Sequence, residues 1–472
     1  MSSRRLPFAR PPRLTPLAAC FAALLGATDA SATLARPNGA VVVSNCLNSG
    51  AGSLRQAVLD SQSSNNPIDL THLSCSLITL TTGRIDVSRD ILLQGPGSGL
   101  LTIDGNNNDR IFNQNSTHVL AVYGMTLQRG YSDAFGGGCI YSSGPLQLND
   151  TVITGCKVFD IASSGSYKGG GVLVNGTLTA IGSAIVDNEI YSSLGYAFGG
   201  GASVTGDAVL ASSTISGNHI SNASGGLTQG GGISITGKLT MMYSTISNNS
   251  VSGLSPGQGR AAGARVLGGA AITNSTISGN TADGGIGGLE IHGSAASPTT
   301  IVNSTISSNV AGAVGGIYAS GPTTIANSTI AFNTETAFAN GAGLRVTNSF
   351  ANIQSSIVAG NTSFGTTQNI GLGISGGVSG ANDLIGASPS VSLPAGTIGG
   401  NPKLLALANN GGPTKTHALG PGSPAINAGN NSTTPLSTDQ RGPGFVRVVG
   451  AAPDIGAFEG VDTDSIFRNG FD

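Results

Sequence analysis

A six-residue motif returns down the middle of this chain at nearly constant distance. It reads Ser183-Ala-Ile-Val-Asp-Asn188, Ser213-Thr-Ile-Ser-Gly-Asn218, Ser244-Thr-Ile-Ser-Asn-Asn249, Ser275-Thr-Ile-Ser-Gly-Asn280, Ser304-Thr-Ile-Ser-Ser-Asn309 and Ser328-Thr-Ile-Ala-Phe-Asn333, with looser copies ending at Cys156 and Asn361. From Asn188 to Asn361 the closing asparagines are spaced by 30, 31, 31, 29, 24 and 28 residues. A period of this length marks a solenoid, a propeller or an array. About 11 residues before each Ser, a Gly cluster leads into an apolar-x-apolar triplet such as Val172-Leu-Val174, Ile233-Ser-Ile235 or Leu344-Arg-Val346. A second alternating run, as in Leu239-Thr-Met241, lies between the two. Each repeat therefore predicts three short strands separated by Gly and Asn turns. A propeller blade needs four longer strands and a longer period, so the expected fold is all-β: a right-handed parallel β-helix of about ten coils.

Stacking of coils brings like residues together about 4.8 Å apart. Ile215, Ile246, Ile277, Ile306 and Ile330 form one expected inward column. Asn218, Asn249, Asn280, Asn309 and Asn333 form an expected ladder, each amide bonding its copy in the next coil, on a left-handed backbone that Asn tolerates. These asparagines are read as architecture rather than as a binding site. The Gly clusters serve bends; no Lys-Ser/Thr follows them, so no phosphate loop is read there.

An open solenoid end exposes apolar interior and unpaired strands. At the N-terminal end, Ser53-Leu-Arg-Gln-Ala-Val-Leu59 predicts a short amphipathic capping helix with Ser53 as its N-cap. Ahead of it, residues 1–32 have the layout of an export leader: basic Arg4, Arg5, Arg10 and Arg13, an apolar run from Leu14 to Leu25, and Ala30-Ser31-Ala32 for cleavage. The run is too short to span a bilayer. Pro7 stands where a twin-arginine signal has an aromatic residue, which favours the general secretory route. The expected division is a leader at 1–32, an N-terminal cap at 33–75, the β-helix at 76–372, C-terminal coils and cap at 373–460, and a tail at 461–472.

The 472 residues include 74 Gly, no Trp and only 9% charged residues, against about 25% charged in an average domain. That composition also occurs in disordered chains, but regularly spaced Ile, Val and Leu argue for folding. Without the leader, 17 Lys and Arg face 22 Asp and Glu, a net charge of −5 that excludes an electrostatic nucleic-acid partner. Cys46, Cys75, Cys139 and Cys156 remain, an even number in an oxidising compartment. Pairing Cys46 with Cys75 and Cys139 with Cys156 keeps each bridge within one local unit; four free buried thiols are the alternative. Zinc is not expected, since no cysteine pair has ligand spacing and no His is near.

Two segments carry a resemblance. Asn45-Cys46-Leu-Asn-Ser-Gly-Ala-Gly-Ser-Leu-Arg-Gln-Ala57, Leu101-Thr-Ile-Asp-Gly105 and the repeats resemble bacterial exported β-helix proteins with polymorphic outer-membrane-protein-type repeats. Asn409-Asn-Gly-Gly-Pro-Thr414, Ala418-Leu-Gly-Pro-Gly-Ser-Pro-Ala-Ile-Asn-Ala-Gly429, Asp439-Gln-Arg-Gly442 and Asp454-Ile-Gly-Ala-Phe-Glu459 resemble the choice-of-anchor Q domain. The resemblance covers most of residues 41–460 and implies a secreted or cell-surface protein of uncharacterised activity. It assigns no chemistry to Asp439, Arg441, Asp454 or Glu459, which are read as capping and turn groups. The terminal Asp464-Ser-Ile-Phe-Arg-Asn-Gly-Phe-Asp472 has no apolar span and resembles a short tag on some proteobacterial exported proteins.

Chemistry on a solenoid is expected in a row of outward side chains. The middle position of the first strand reads Ile140, Leu173, Ser203, Ser234, Arg265, Glu290, Tyr318 and Arg345 in successive coils, with His292 on the same face. Arg265, Tyr318 and Arg345 would hold and stack an acidic glycan, and Glu290 or His292 would act as acid or base. The competing reading is a solvated face where Glu290 pairs with Arg265. Hydrolysis calls for two carboxylates about 5 to 9.5 Å apart, and Glu290 has no acidic partner in its column. Asp104-Gly-Asn-Asn-Asn-Asp109 offers oxygens to calcium but lacks the spacing of a calcium loop, so a turn is the simpler reading and no cofactor is expected. No nucleophile triad can be placed. Two functions stay open: a monomeric, non-catalytic surface or secreted β-helix that contacts a glycan or another surface component, and a polysaccharide lyase or hydrolase.

Overall fold

The computed structural model describes residues 39–460, save 65, 161–164, 194, 223–225, 254–258 and 433–434. The expected export leader and C-terminal tail lie outside the described residues. The chain winds as a right-handed parallel solenoid of about eleven turns. Its first sheet stacks eleven strands from Ile85–Val87 to Ile370–Leu372. The second, of 23 strands, is bent, because each coil gives it two strands, as Leu239–Met242 and Thr245–Ser247. Between them Tyr243 adopts φ 48°, and this left-handed residue makes the bend. A third sheet of ten short strands follows the asparagine corner, as His219–Asn222. Four coils add a further strand to a fourth sheet: Ser166–Lys168, Tyr196–Phe198, Thr228–Gln229 and Gly259–Arg260. Three strands per coil enclose the main core, with Ile215, Ile246, Ile277, Ile306 and Ile330 stacked in register inside it.

The ladder runs as expected and is longer. Asn188, Asn218, Asn249, Asn280, Asn309, Asn333, Asn361 and Asn369 are buried, and each Nδ2 up to Asn361 donates to the next Oδ1 at 2.8–3.0 Å. Each of those side chains also donates to a carbonyl one coil back, as Asn249 to Ile215 at 3.0 Å. The left-handed backbone, however, is not at the ladder asparagines. It is at the residue before each from Asn188 to Asn361: Asp187, Gly217, Asn248, Gly279, Ser308, Phe332 and Gly360. That residue turns the corner and leaves the following Asn free to point inward. A second ladder follows the other bend, where the amides of Ser183, Ser213, Ser244, Ser275, Ser304 and Ser328 each donate to the next hydroxyl at 3.0–3.2 Å. It ends on Asp383, whose Oδ1 accepts from Ser356 N at 2.9 Å.

Both expected disulfides form, Cys46–Cys75 and Cys139–Cys156. Cys156 occupies the ladder corner, where its amide donates to Asn188 Oδ1 at 3.0 Å; the bridge thus starts where the amide ladder begins. Helix α1 (Leu54–Ser64) buries Leu54, Ala57 and Val58 against the first coils. Ser53 Oγ accepts from Gln56 N at 3.2 Å, as an N-cap does. At the other end Val391 and Leu393 pack on the last coil.

Beyond that cap the chain doubles back. A hairpin of Leu404–Ala408 with Thr416–Leu419, and the loops up to residue 460, lie along the outer side of the Thr-Ile-Ser strands. Asn274 Nδ2 donates to the carbonyls of Asp439 and Gln440, and Asn303 Nδ2 to that of Thr438, at 2.9–3.1 Å. Gln440 bridges Thr276, Thr305 and Thr414 at 2.6–2.9 Å. Gly442 rests against the Tyr243 ring, where a Cβ would sit 2.9 Å from a ring carbon; only a bare Cα allows that approach.

Candidate functional site

The middle outward column of the first sheet runs Asp86, Asn113, Tyr141, Leu173, Ser203, Ser234, Arg265, Glu290, Tyr318, Arg345 and Gly371. Ile140 does not belong to it. It pairs with Val172 and points inward, and Tyr141 pairs with Leu173. The expectation slipped by one residue there, and a one-residue slip exchanges the two faces of a strand. The correction places an aromatic ring in the row where an aliphatic side chain was expected.

Arg265, Glu290, Tyr318 and Arg345 do follow one another in register. Glu290 is only 3% exposed. Its Oε1 lies 3.0 Å from His292 Nε2, and its Oε2 faces Arg265 Nε at 3.8 Å without a hydrogen bond. Burial pushes the Arg265 guanidinium down from its ordinary value and Glu290 draws it back up. The His292 ring stands 5.8 Å from that of Tyr318. Arg345 is turned away to Asn340, donating to its carbonyl at 3.0 Å and its Oδ1 at 2.5 Å. The buried Glu335 holds Asn340 N between its two oxygens at 2.7 and 2.9 Å. The row therefore positions an imidazole on a buried carboxylate, beside a tyrosine, with Glu290 the sole carboxylate in its stretch of the column.

The carboxylates of the Asp104–Asp109 turn are engaged. Asp104 accepts from Arg129 and Gln128, and Asp109 from the amides of Arg84 and Arg110, so neither oxygen set is free to gather a cation. Among the described residues no group of three or more His, Cys, Asp or Glu is arranged to hold a metal ion. Asp439 binds Arg441 and the amide of Glu459; Glu459 in turn caps the amides of Val449 and Asp454 at 2.8 Å. Burial raises the Glu459 carboxyl to about 7. Arg447, 1% exposed, donates to Asn327 Oδ1 and to the carbonyl of Asp454.

One pair had no sequence signal. Ser307 Oγ lies 2.8 Å from His417 Nε2, whose Nδ1 lies 2.7 Å from the carbonyl of Leu405. The arrangement is that of a hydroxyl and its base, but both side chains are buried between the Thr-Ile-Ser strands and the C-terminal hairpin that carries His417, where no substrate reaches them. They hold the hairpin down.

A family model described as the right handed beta helix region matches residues 139–330. The repeats are of the right-handed β-helix kind. Among solved structures, the crystal structure of pectate lyase Pel9A aligns over 90% of this chain and 98% of its own, at 15% identity and a TM-score of 0.38. No curated protein matches the chain. No helix among the described residues is long and apolar enough to cross a membrane.

Proposed function

We propose that this β-helix is an exported protein of the cell surface or the medium that acts by binding rather than by catalysis. The observation that carries the reading is the state of Glu290, 3% exposed, engaged by His292 and Arg265, and without the second carboxylate that glycoside hydrolysis calls for. Two disulfides support an oxidising compartment. The likeness of residues 409–459 to the choice-of-anchor Q domain supports a bacterial cell-surface setting, with a glycan or another surface component as partner and the chain acting as a monomer. A lyase or hydrolase centred on Glu290 is the alternative reading.

Two measurements test this. The exported form is expected to begin after Ala32 and to reside outside the cytoplasm; a cytoplasmic chain that retains Met1 overturns the export. A turnover screen on neutral and uronate polysaccharides is expected to show binding without product. Cleavage that disappears in Glu290→Ala overturns the non-catalytic reading.

A further inference from the structure

Tyr141 stands in the outward column toward the opposite end of that face from Glu290. An open cleft of about 480 Å³ lies there, with Arg110, Asn113, Phe135, Tyr141, Lys168 and Asn175 along its wall. Its lining holds two cations, amides and two aromatic rings, and no carboxylate. Asp86, the next outward residue in the column, is occupied by Arg84 Nε at 3.1 Å and Asn113 Nδ2 at 2.6 Å.

Arg110 is held in place rather than dangling. Its Nε and Nη2 donate to the Gly136 carbonyl at 3.1 and 3.0 Å, and Nη2 donates to Ser132 Oγ at 2.8 Å. The guanidinium stands 5.9 Å from the centre of the Tyr141 ring, and among the described residues Nη1 has no hydrogen-bond partner. Asp109 and Asp133 are near enough to act on its charge, but neither forms an ion pair with it. The rim is preformed, because the loop at Phe135 and the strand at Lys168 are joined through Lys168 N to Phe135 O at 3.0 Å and Gly137 N to Lys168 O at 2.9 Å. Phe135 stands 75% exposed on that rim.

A fixed guanidinium with one nitrogen open, an exposed ammonium, amide donors and aromatic faces fit a ring that carries hydroxyls and a negative group. Aromatic faces take up the C–H side of a sugar, amides bond its hydroxyls, and charge-assisted bonds hold an anion more tightly than neutral ones do. We propose that this cleft binds an acidic sugar unit, a pyranose bearing a carboxylate or a sulfate. The inference rests on the reading of the protein as an extracellular binder and assigns that binder a place and a ligand class.

Calorimetric titration of the disulfide-bonded protein tests it, with trigalacturonate as the carboxylate probe, a carrageenan tetrasaccharide as the sulfate probe and maltotriose as the neutral one. Binding is expected for at least one acidic probe, and the affinity is expected to fall with added salt and to weaken at least tenfold in both Lys168→Ala and Phe135→Ala. Neither substitution removes a side-chain bond of the solenoid. Equal binding of maltotriose overturns the acidic class. Unchanged affinity in both variants, with loss in Arg345→Ala, overturns the location while the binding function stands. Absence of binding to both acidic probes overturns the inference, and the turnover screen and the export test then judge the broader reading separately.

Discussion

Replacing Asn280 by Ala in the middle of the ladder should be among the most damaging single changes in the chain. Asn280 Nδ2 donates to Ile246 O at 3.1 Å and to Asn309 Oδ1 at 2.8 Å, and its Oδ1 accepts from Asn249 N at 3.0 Å and Asn249 Nδ2 at 2.9 Å. Asn309 Oδ1 keeps its bond from Asn280 N, and Asn249 Nδ2 keeps the carbonyl of Ile215. The Asn249 amide loses its partner, and Ile246 O loses a donor. A buried polar group left unpaired costs about 1 to 3 kcal/mol, so two of them amount to about 2 to 6 kcal/mol. Asn280→Asp should be worse at neutral pH, since it keeps the accepting oxygen but sets a carboxylate oxygen against Ile246 O and Asn309 Oδ1. The control is Ser216→Ala, an outward hydroxyl two coils away, expected to change stability by less than about 0.5 kcal/mol. Urea unfolding gives the total, and hydrogen exchange should place the loss in the coils bearing Asn249, Asn280 and Asn309, since a solenoid repeat touches only its neighbours. A loss below about 1 kcal/mol, or an Asp variant milder than Ala, refutes the ladder as a load of coupled bonds.

Asp383 ends the serine ladder with a carboxyl that burial raises from 3.8 to about 8. It keeps its proton when folded and releases it when unfolded, so its contribution is full below about pH 4 and is lost as pH climbs through about 8. Unfolding free energy should therefore fall by about 2 kcal/mol between pH 6.5 and 8, and Asp383→Asn should flatten that limb; Glu459, raised to about 7, adds in the same direction. His417, lowered from 6.5 by burial, acts with opposite sign and only below that pH. Removing the Cys139–Cys156 bridge, which closes a separation of 17 residues, should cost about 3 kcal/mol while Cys156→Ala leaves the amide bond to Asn188 in place; an unchanged urea midpoint in the Cys139→Ala, Cys156→Ala pair refutes this. Gln440→Ala should raise hydrogen exchange across residues 404–419 without altering the first coils; uniform loss of protection instead would mean that the C-terminal segment and the solenoid unfold as one.

The repeat was legible because a solenoid writes its geometry into the sequence: a stacked position sees the same surroundings in every coil, so Ile and Asn recur at it. What spacing does not reveal is which residue of a corner takes the strained backbone. Asp187, Ser308 and Phe332 share that conformation without sharing any chemistry, because only the backbone is constrained there. The slip at Ile140 has a similar origin. The triplet Ile140-Tyr-Ser142 ends on a buried serine rather than an aliphatic residue, so alternation alone did not set its phase. The doubling back of the C-terminal segment did leave a trace. At the bend before the serine, early coils carry Gly182 and Ser212, whereas Tyr243 and then Asn274, Asn303 and Asn327 follow where the segment docks. The acidic-sugar cleft left none, since Arg110, Tyr141 and Lys168 come from three different turns and meet only through the winding.

The corner at the ladder also settles where this protein can vary. Coil length shortens to 24 residues between Asn309 and Asn333 and reaches 32 between Cys156 and Asn188, yet the column of corner bonds passes through all of them unbroken. The surplus is taken up after the corner, where the four longer turns carry the added strands between Ser166 and Arg260. Before the corner most turns keep their count, and additions are confined to the bend between the first two strands, four residues between Leu289 and Thr300 and one between Leu344 and Ala351; the stretch after the corner varies most in length. Recognition can therefore be rewritten on that flank by insertion or exchange of whole loops, while the part of the turn that holds the molecule together goes on unaltered.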